Sequence, residues 1–195
     1  MTVVAGLLLA AGAGRRLGMP KALVELEGRT LVERGVALLK DGGCAPVLVV
    51  LGAAAEQVSL LLTDVEIVIA EDWDEGMAAS LRAGLAVLDD LGVEACIIAL
   101  VDQPLVGAEA VRRLAALAGQ ADAAVATYGG QPRNPVLLDR AVWPELLSLT
   151  GDMGARSWLR SHPQRVRHVP CDDTGSPDDV DEPADLDAVR ALLSP

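Results

Sequence analysis

A short glycine-rich loop near the amino terminus holds most of the chemically unusual residues of the chain. It runs Leu9-Ala10-Ala11-Gly12-Ala13-Gly14-Arg15-Arg16-Leu17-Gly18-Met19-Pro20-Lys21. Small residues let backbone N–H groups approach a ligand closely, which suits phosphate oxygens or the edge of a nucleotide base. Lys21 is one of only two lysines in a chain whose formal net charge is −12. A basic cluster in such an acidic chain favours phosphate binding, and a solvated glycine turn is the alternative.

Two common phosphate-binding motifs do not describe this loop. Leu17 stands at the position that would complete the dinucleotide-binding motif GxGxxG. A P-loop needs a Gly-Lys-Ser/Thr sequence, whereas Lys21 stands directly behind Pro20. Any phosphate bound here must therefore be held in a different loop geometry.

A second candidate is the carboxylate that follows a strongly apolar segment. Residues 97–101 are all hydrophobic, and Asp102-Gln103-Pro104 come directly after them. A carboxylate at the end of a buried strand is costly unless it meets a positive charge. Mg²⁺ prefers one or two carboxylates together with phosphate oxygens. Asp102 is therefore a candidate metal ligand, and a cap of the following turn and helix is the alternative.

Strands and helices that could position these residues alternate along the chain. Apolar runs predict strands at 3–9, 47–51, 65–70, 97–101, 123–128, 136–138 and 165–169. Amphipathic segments predict helices at 31–40, 54–62, 78–91, 108–118, 140–149, 155–161 and 183–193. This alternation predicts a three-layer α/β fold, with a mostly parallel central sheet covered by helices on both faces. Ligands bind such sheets beyond the carboxyl ends of the strands, where both candidates lie.

Composition indicates a globular protein that works in the cytoplasm. The 195 residues suit a single domain. We expect no membrane span, because no apolar run reaches the roughly 18 residues that a bilayer requires. The strongly negative charge argues against a nucleic-acid partner. An odd number of widely spaced cysteines suits reduced thiols in the cytoplasm; these are Cys44, Cys96 and Cys171.

The glycine-rich loop resembles the signature LAAGxGxRxGxPK of an NTP-transferase family that includes the molybdenum cofactor cytidylyl- and guanylyltransferases. The resemblance implies a Rossmann-like nucleotidyltransferase fold, with a nucleotide-binding half at about 1–105 and an acceptor-binding half at about 106–195. It also implies that Arg16 and Lys21 are catalytic and neutralise the triphosphate. The nucleotide contacts that it implies in the loop are Leu9, Ala10, Ala11, Gly12, Gly14, Arg15 and Lys21.

Two acidic segments resemble motifs of the cytidylyltransferase branch. Val101-Asp102-Gln103-Pro104 resembles (V/G)DQP, which implies that Asp102 is catalytic and holds the Mg²⁺ or Mn²⁺ that bridges the NTP phosphates. Residues 179–186 resemble DIDTPEDL, and we favour Asp181 over Asp179 as a second metal ligand. The alternative for these acids is that they stabilise the dipole of the last helix.

Three further segments resemble the same branch and imply substrate contacts. Residues 71–81 resemble NxxWxxGMxxSL, with Glu71 where asparagine is usual, and residues 133–137 resemble xHPVx, with Asn134 where histidine is usual. Residues 151–156 resemble GDxGAR. The implied nucleotide contacts are Glu71 and Ser80. The implied acceptor contacts are Trp73, Gly76, Met77, Asn134, Pro135, Asp152 and Arg156.

The resemblance extends from Leu7 to Leu186 and implies a metal-dependent nucleotidyltransferase. Such an enzyme moves a nucleoside monophosphate from an NTP to a small phosphorylated acceptor and releases pyrophosphate. The Ala-Ala-Gly triplet favours CTP, and molybdopterin carrying molybdenum is the favoured acceptor, with a molybdoenzyme as recipient. The alternatives are a GTP-dependent or sugar-phosphate enzyme of the same fold, or a nucleotide-binding assembly partner of a molybdoenzyme that has no activity of its own.

Overall fold

Strands and helices alternate along the chain, as the sequence predicts. The computed structural model describes residues 2–151 and 154–193. In these residues the strands are β1 (Val4–Leu9), β2 (Glu25–Leu26), β3 (Arg29–Thr30), β4 (Val47–Leu51), β5 (Glu66–Ile69), β6 (Ala95–Leu100), β7 (Ala123–Tyr128), β8 (Gln131–Asp139) and β9 (Val166–Pro170). The helices are α1 (Leu31–Asp41), α2 (Ala55–Ser59), α3 (Met77–Asp90), α4 (Ala108–Ala115), α5 (Trp143–Leu146), α6 (Gly154–Ser161) and α7 (Pro183–Leu193).

Seven of the described strands form one mostly parallel sheet, in the order β5-β4-β1-β6-β8-β7-β9. β1 lies between β4 and β6 and runs parallel to both. β8 is the reversed strand, antiparallel to β6 on one side and to β7 on the other. Because β1 and β6 are parallel neighbours, the glycine-rich loop and the loop that carries Asp102 leave the sheet at the same edge.

Alternate residues of the central strand pack into two separate hydrophobic layers. Leu8 of β1 lies in the layer that includes Leu39 of α1 and Leu114 of α4. Its neighbour Leu7 lies in the opposite layer, with Leu85 of α3 and with side chains of α5 and α6. The three-layer α/β arrangement predicted from the sequence is therefore confirmed. Among the described residues, no helix has the length and hydrophobicity needed to cross a lipid bilayer.

The cysteines agree with the expectation of reduced thiols. Cys44, Cys96 and Cys171 are all buried and unpaired with one another. Burial raises the pKa of Cys44 to about 12, so its thiol is protonated at physiological pH.

Three predicted elements need correction, and one pair of short strands was missed. The predicted strand at 136–138 is too short, because pairing with β7 extends β8 back to Gln131, whereas β6 pairs only with residues 136–139. The predicted helix at 140–149 is a 3₁₀ turn at Arg140–Val142 followed by the four-residue α5. The predicted helix at 54–62 ends as α2 at Ser59, whose hydroxyl bonds to the Ala55 carbonyl. The short β2–β3 pair was not predicted, since two-residue strands leave no periodic pattern.

Close packing of α3 on the sheet depends on Gly84. A Cβ atom at this position would lie 2.5 Å from Leu7 Cδ1 and 3.0 Å from Val50 Cγ2. Leu7 and Val50 are both fully buried in central strands of the sheet, so neither side chain has space to move away. The helix therefore approaches the sheet only because residue 84 has no side chain.

We expect Gly84→Ala to lower the free energy of unfolding by about 1–3 kcal/mol, the usual cost of overpacking. At a solvent-exposed helix position, a glycine-to-alanine change would instead stabilise the protein by about 1 kcal/mol. Urea denaturation of the parent and the variant measures the difference. Ala86→Gly, at an exposed position of the same helix, is the control that measures helix propensity alone. A Gly84→Ala variant more stable than the parent would contradict this account of the packing.

Candidate active site

A cleft of about 450 Å³ opens beyond the carboxyl ends of β1 and β6. The glycine-rich loop forms one wall, and the segment that leads into α3 forms the opposite wall. Ten of the residues predicted from the sequence to act in the site line this cleft: Leu9, Ala11, Gly12, Arg15, Lys21, Trp73, Gly76, Met77, Ser80 and Asp102. The fold therefore brings predicted nucleotide, acceptor and metal contacts to one place.

The Lys21 ammonium lies between two carboxylates at the edge of this cleft. Its Nζ donates hydrogen bonds to Asp102 Oδ2 at 2.6 Å and to Asp181 Oδ1 at 2.5 Å. Asp102 follows β6, whereas Asp181 comes shortly before α7, so three distant segments of the chain meet at one ammonium group. Burial by itself lowers the pKa of Lys21, but the charges and hydrogen bonds of the two carboxylates outweigh it and the pKa is raised. Lys21 is therefore a permanent cation of the site.

Arg16 adds a second positive charge on the solvent side of Asp181. Its guanidinium lies 2.8 Å from Asp181 Oδ2 and 3.8 Å from Glu182 Oε1. The Arg16 side chain is 64% exposed, and exposed ion pairs contribute little to stability. The hydrogen bond from Lys21, with the charges of Lys21 and Arg16, lowers the pKa of Asp181. Arg16 can thus turn from Asp181 towards an anionic ligand at small cost.

The second carboxylate oxygen of Asp102 fits a divalent cation. Asp102 Oδ1 is buried and has no hydrogen-bond partner among the described residues. Such an oxygen is costly unless a ligand satisfies it. Within the described part of the chain, no cluster of three or more His, Cys, Asp or Glu residues could hold a metal by itself. The residues present fit Mg²⁺ or Mn²⁺ shared between one or two carboxylates and the phosphate oxygens of a ligand.

Asp181 reaches the site on residues 175–181, which we call the acidic segment. Its backbone bonds to the loop after β6, with Val180 N donating to Asp102 O at 2.8 Å. In the same segment Asp179 Oδ1 accepts a hydrogen bond from Gln103 Nε2 at 2.8 Å. Partial burial and the charge of Asp102 raise the pKa of Asp179. The geometry therefore places Asp181 against Lys21, whereas Asp179 is held by Gln103.

The wall opposite the glycine-rich loop is built around Trp73 and the start of α3. A Cβ atom on Gly52 would lie 2.4 Å from Trp73 Cγ and 2.8 Å from Ala11 O, so the indole packs directly on this glycine. The glycine thereby sets the distance between the two walls. Gly76 begins α3 with a φ of 118° and offers no capping side chain, which leaves N–H groups of the first helical turn available to an anion.

Several predicted contacts lie outside the cleft lining. Glu71 is exposed in the turn after β5, and Arg156 is exposed on α6. Ala10 and Gly14 shape the loop instead, since Ala10 N donates to Val50 O and Gly14 O accepts from the N–H groups of residues 17 and 18. Asp152 lies outside the described residues.

Asn134 and Pro135 lie on β8. This strand is antiparallel to β6 and pairs Val136 with Ile98, so both residues lie towards the edge where β6 ends. Neither residue is among those that line the cleft.

Gln103 and Gly52 were not singled out from the sequence. Gln103 directly follows Asp102, which was the available signal for a supporting role. Gly52 carried no such signal, because its contact with Trp73 exists only in the folded chain.

Comparison with known proteins identifies the family to which this fold and cleft belong. Residues 6–166 match the MobA-like NTP transferase domain, and the chain belongs to this family of nucleotidyltransferases. It is 39% identical over 189 residues to nicotine blue oxidoreductase of Paenarthrobacter nicotinovorans, covering 91% of this chain and 92% of that protein. It is 35% identical over 107 residues to a probable molybdenum cofactor guanylyltransferase of Opitutus terrae, covering 55% of this chain and 52% of that protein.

One of the solved structures similar to this chain contains a divalent metal. The structure of Rv0371c from Mycobacterium tuberculosis H37Rv in complex with manganese matches this chain with a TM-score of 0.84 and 27% identity. The match covers 98% of this chain and 100% of Rv0371c. A protein of closely similar fold thus binds the class of cation that Asp102 and Asp181 fit.

We expect Lys21→Met to lower the free energy of unfolding of the ligand-free protein by about 1–3 kcal/mol, because Asp102 and Asp181 then face each other without their shared ammonium. The loss should be below the ~3–5 kcal/mol typical of fully buried pairs, since both carboxylates are partly exposed. Lys40→Met is the matched control: Lys40 is the other lysine, exposed, with its Nζ 3.4 Å from Thr63 O. Equal losses in the two variants would contradict the proposed pairing.

The difference in the free energy of unfolding between the parent and Lys21→Met depends on pH. The pKa of Asp181 is lowered in the folded chain, so the stabilisation by Lys21 is complete above the usual carboxyl pKa of about 3.9 and is lost as the pH falls through the lower folded value. The gap between the parent and Lys21→Met should therefore be larger at neutral pH than in acid. Urea unfolding at neutral pH and near pH 3 measures it.

Proposed function

We propose that this chain is a metal-dependent nucleotidyltransferase that moves a nucleoside monophosphate from an NTP to a phosphorylated acceptor and releases pyrophosphate. The observation that carries the proposal is the Lys21 ammonium between Asp102 and Asp181, beside a glycine-rich cleft. Membership of the MobA-like NTP transferase family supports the same conclusion. Residues of about 1–105 would bind the nucleotide, and residues of about 106–195 would supply most of the acceptor contacts.

The glycine-rich loop would hold the nucleotide. Ala11, Gly12 and Arg15 line the cleft, and a Cβ atom placed on Gly12 would meet nothing within 4 Å in the described structure. That open space leaves room for a base or a phosphate close to the backbone. Lys21 and Arg16 would neutralise the triphosphate as charge develops on the leaving pyrophosphate. Ser80 would add a hydroxyl from α3, on the opposite wall.

Asp102 and Asp181 would hold the divalent cation together with phosphate oxygens of the NTP. When bound, Mg²⁺ or Mn²⁺ would supply additional neutralisation of the phosphate charge. The unpartnered Asp102 Oδ1 supports this assignment, because it is the one oxygen of that carboxylate that Lys21 leaves free. Lys21 would then direct its ammonium to the phosphates.

The reaction needs positioning more than proton transfer. An oxygen of the acceptor phosphate would form a bond to the α-phosphorus as the bond from that phosphorus to the pyrophosphate oxygen breaks. The electron pair of the broken bond would leave with pyrophosphate. A phosphate dianion is already nucleophilic, so the residues of the cleft have to align and neutralise the reactants, and a general base is not required.

Molybdopterin carrying molybdenum is the acceptor that we propose. The likeness to a probable molybdenum cofactor guanylyltransferase supports it. Trp73, Gly76 and Met77 would contact this acceptor at the start of α3, with Asn134, Pro135 and Arg156 farther out. Asp152 would complete this group. A molybdoenzyme would receive the finished cofactor.

We expect Asp102→Asn to abolish pyrophosphate release with little loss of folding stability, because the carboxylate would hold the cation and Asn still accepts a hydrogen bond from Lys21. Pyrophosphate release and thermal melting of the parent and the variant measure the two effects. Turnover near that of the parent would remove Asp102 from the mechanism. Intact NTP binding by a parent protein without turnover would favour a nucleotide-binding assembly partner.

CTP is the donor that we propose, and the basis is Ala11. This residue lines the cleft, and its carbonyl accepts a hydrogen bond from Ala53 N at 3.0 Å, which fixes where its methyl group stands. The methyl group would narrow the cleft against a purine and leave room for cytosine. GTP is the second candidate, favoured by the likeness to a guanylyltransferase.

We expect Ala11→Gly to raise kcat/KM for GTP relative to that for CTP. The change should correspond to about 1–3 kcal/mol of transition-state free energy, the usual effect of a small steric change in a pocket. The measurement compares both nucleotides in both proteins, with a molybdopterin acceptor. A parent protein that prefers GTP would overturn the cytidylyl assignment and leave nucleotidyl transfer standing.

A second candidate function comes from the likeness to nicotine blue oxidoreductase. The same cleft would then hold nicotine blue, the compound in that protein's name. Residues 6–166 match an NTP transferase domain, so we place this candidate second. Loss of nicotine blue absorbance with NADH or NADPH as electron donor, without pyrophosphate release from any NTP, would favour it.

A further inference from the structure

Gln103 links the loop that carries Asp102 to the acidic segment. Its side chain is buried, with 5% of its surface exposed. Its Nε2 donates to Asp179 Oδ1 at 2.8 Å and to Pro177 O at 3.1 Å. Reversing the amide would place its oxygen against both of these acceptors, so the two contacts determine which end carries the nitrogen. Gln103 therefore offers both of its donors to the acidic segment.

Backbone hydrogen bonds also join these two parts of the chain. Val180 N donates to Asp102 O at 2.8 Å, and Ser176 N donates to Leu105 O at 3.0 Å. Both acceptors lie within residues 102–105. The loop that supplies one carboxylate of the site thus also holds the segment that supplies the other.

The downstream end of the acidic segment is held separately. Asp185 Oδ2 accepts hydrogen bonds from Asp181 N at 2.9 Å and from Glu182 N at 2.8 Å. Asp181 is therefore supported from α7 on one side and, through Asp179, from Gln103 on the other.

We propose that Gln103 is a positioning residue that keeps Asp181 beside Asp102 and so determines the affinity of the site for a divalent cation. This inference rests on the proposed function. Three carboxylates, those of Asp102, Asp179 and Asp181, crowd into the same region and repel one another. The amide of Gln103 gives Asp179 a donor and holds it in place against that repulsion. Its role grows when a nucleotide is bound, because Lys21 then turns to the phosphates and no longer ties Asp181 to Asp102.

Removing the hydrogen bond from Gln103 would leave the Asp179 carboxylate without this donor near other carboxylates, and the acidic segment would move outwards. Asp181 would move with it.

The test compares Gln103→Met with the matched control Gln120→Met. Methionine keeps the length of the side chain and removes both donors. Gln120 is exposed, lies after α4, and bonds only locally, to Ala116 O at 2.9 Å. Thermal melts establish that both variants fold. A second variant, Gln103→Glu, keeps the shape of the side chain and sets a carboxylate against Asp179, so it should have the larger effect.

The first measurement is amide hydrogen exchange in the absence of metal and nucleotide. We expect faster exchange at Ser176 and Val180 in Gln103→Met and parent-like exchange in Gln120→Met. The second is Mn²⁺ binding by electron paramagnetic resonance with a non-hydrolysable CTP analogue present. We expect binding about 10-fold weaker or more in Gln103→Met, the scale found for residues that support a metal ligand. Saturating Mn²⁺ should restore kcat.

Unchanged exchange at Ser176 and Val180 would overturn the inference, whatever the chain catalyses. Faster exchange with unchanged Mn²⁺ affinity, or a low kcat at every Mn²⁺ concentration, would also overturn it in favour of a general structural role. Mn²⁺ binding by the parent without pyrophosphate release would count against the proposed function alone. A parent that binds no Mn²⁺ would overturn both.

Discussion

The ion pair that joins Lys21 to Asp102 and Asp181 is the constraint on which the rest of the site depends. Two carboxylates from distant segments are brought together at one edge of the sheet, where repulsion would otherwise separate them. One ammonium group offsets that repulsion in the ligand-free chain. Under the proposed function, a cation and the phosphates of a nucleotide would replace this balance of charge by neutralising the same oxygens.

The topology of the sheet explains how this pairing arises. β1 and β6 are parallel neighbours, so Lys21 and Asp102 leave the same edge on adjacent loops. Asp181 lies near the carboxyl end of the chain, between β9 and α7. Strands β7, β8 and β9 therefore separate it from Asp102 in the sequence. The acidic segment then returns along the loop after β6 through backbone bonds and the Gln103 amide. The loop that carries Asp102 thus also positions the segment that carries Asp181.

Prediction from the sequence succeeded where a residue's role follows from its neighbours in the chain. The buried strands around β1, β4 and β6 are continuous apolar runs, and helices α1 and α3 repeat hydrophobic residues at helical spacing, so their patterns were unambiguous. Prediction failed at β8, whose first residues, Gln131-Pro132-Arg133, show no apolar strand pattern and form a strand through pairing with β7. It also overextended α2 and the helix after β8, because local pattern does not report where packing ends.

The sequence by itself determined the alternating α/β order, the glycine-rich loop after the first strand and the acid at the end of the strand that became β6. These features are local, since small residues, apolar runs and a charged strand end are visible in consecutive residues. Only the tertiary structure decided that Asp181 and not Asp179 meets Lys21, that Gln103 supports the acidic segment, and that Gly52 lets Trp73 approach Ala11. Those choices depend on distances between residues far apart in the chain. Strand order sets such distances. So does the lack of a side chain at a position such as Gly52, where two parts of the chain pack closely.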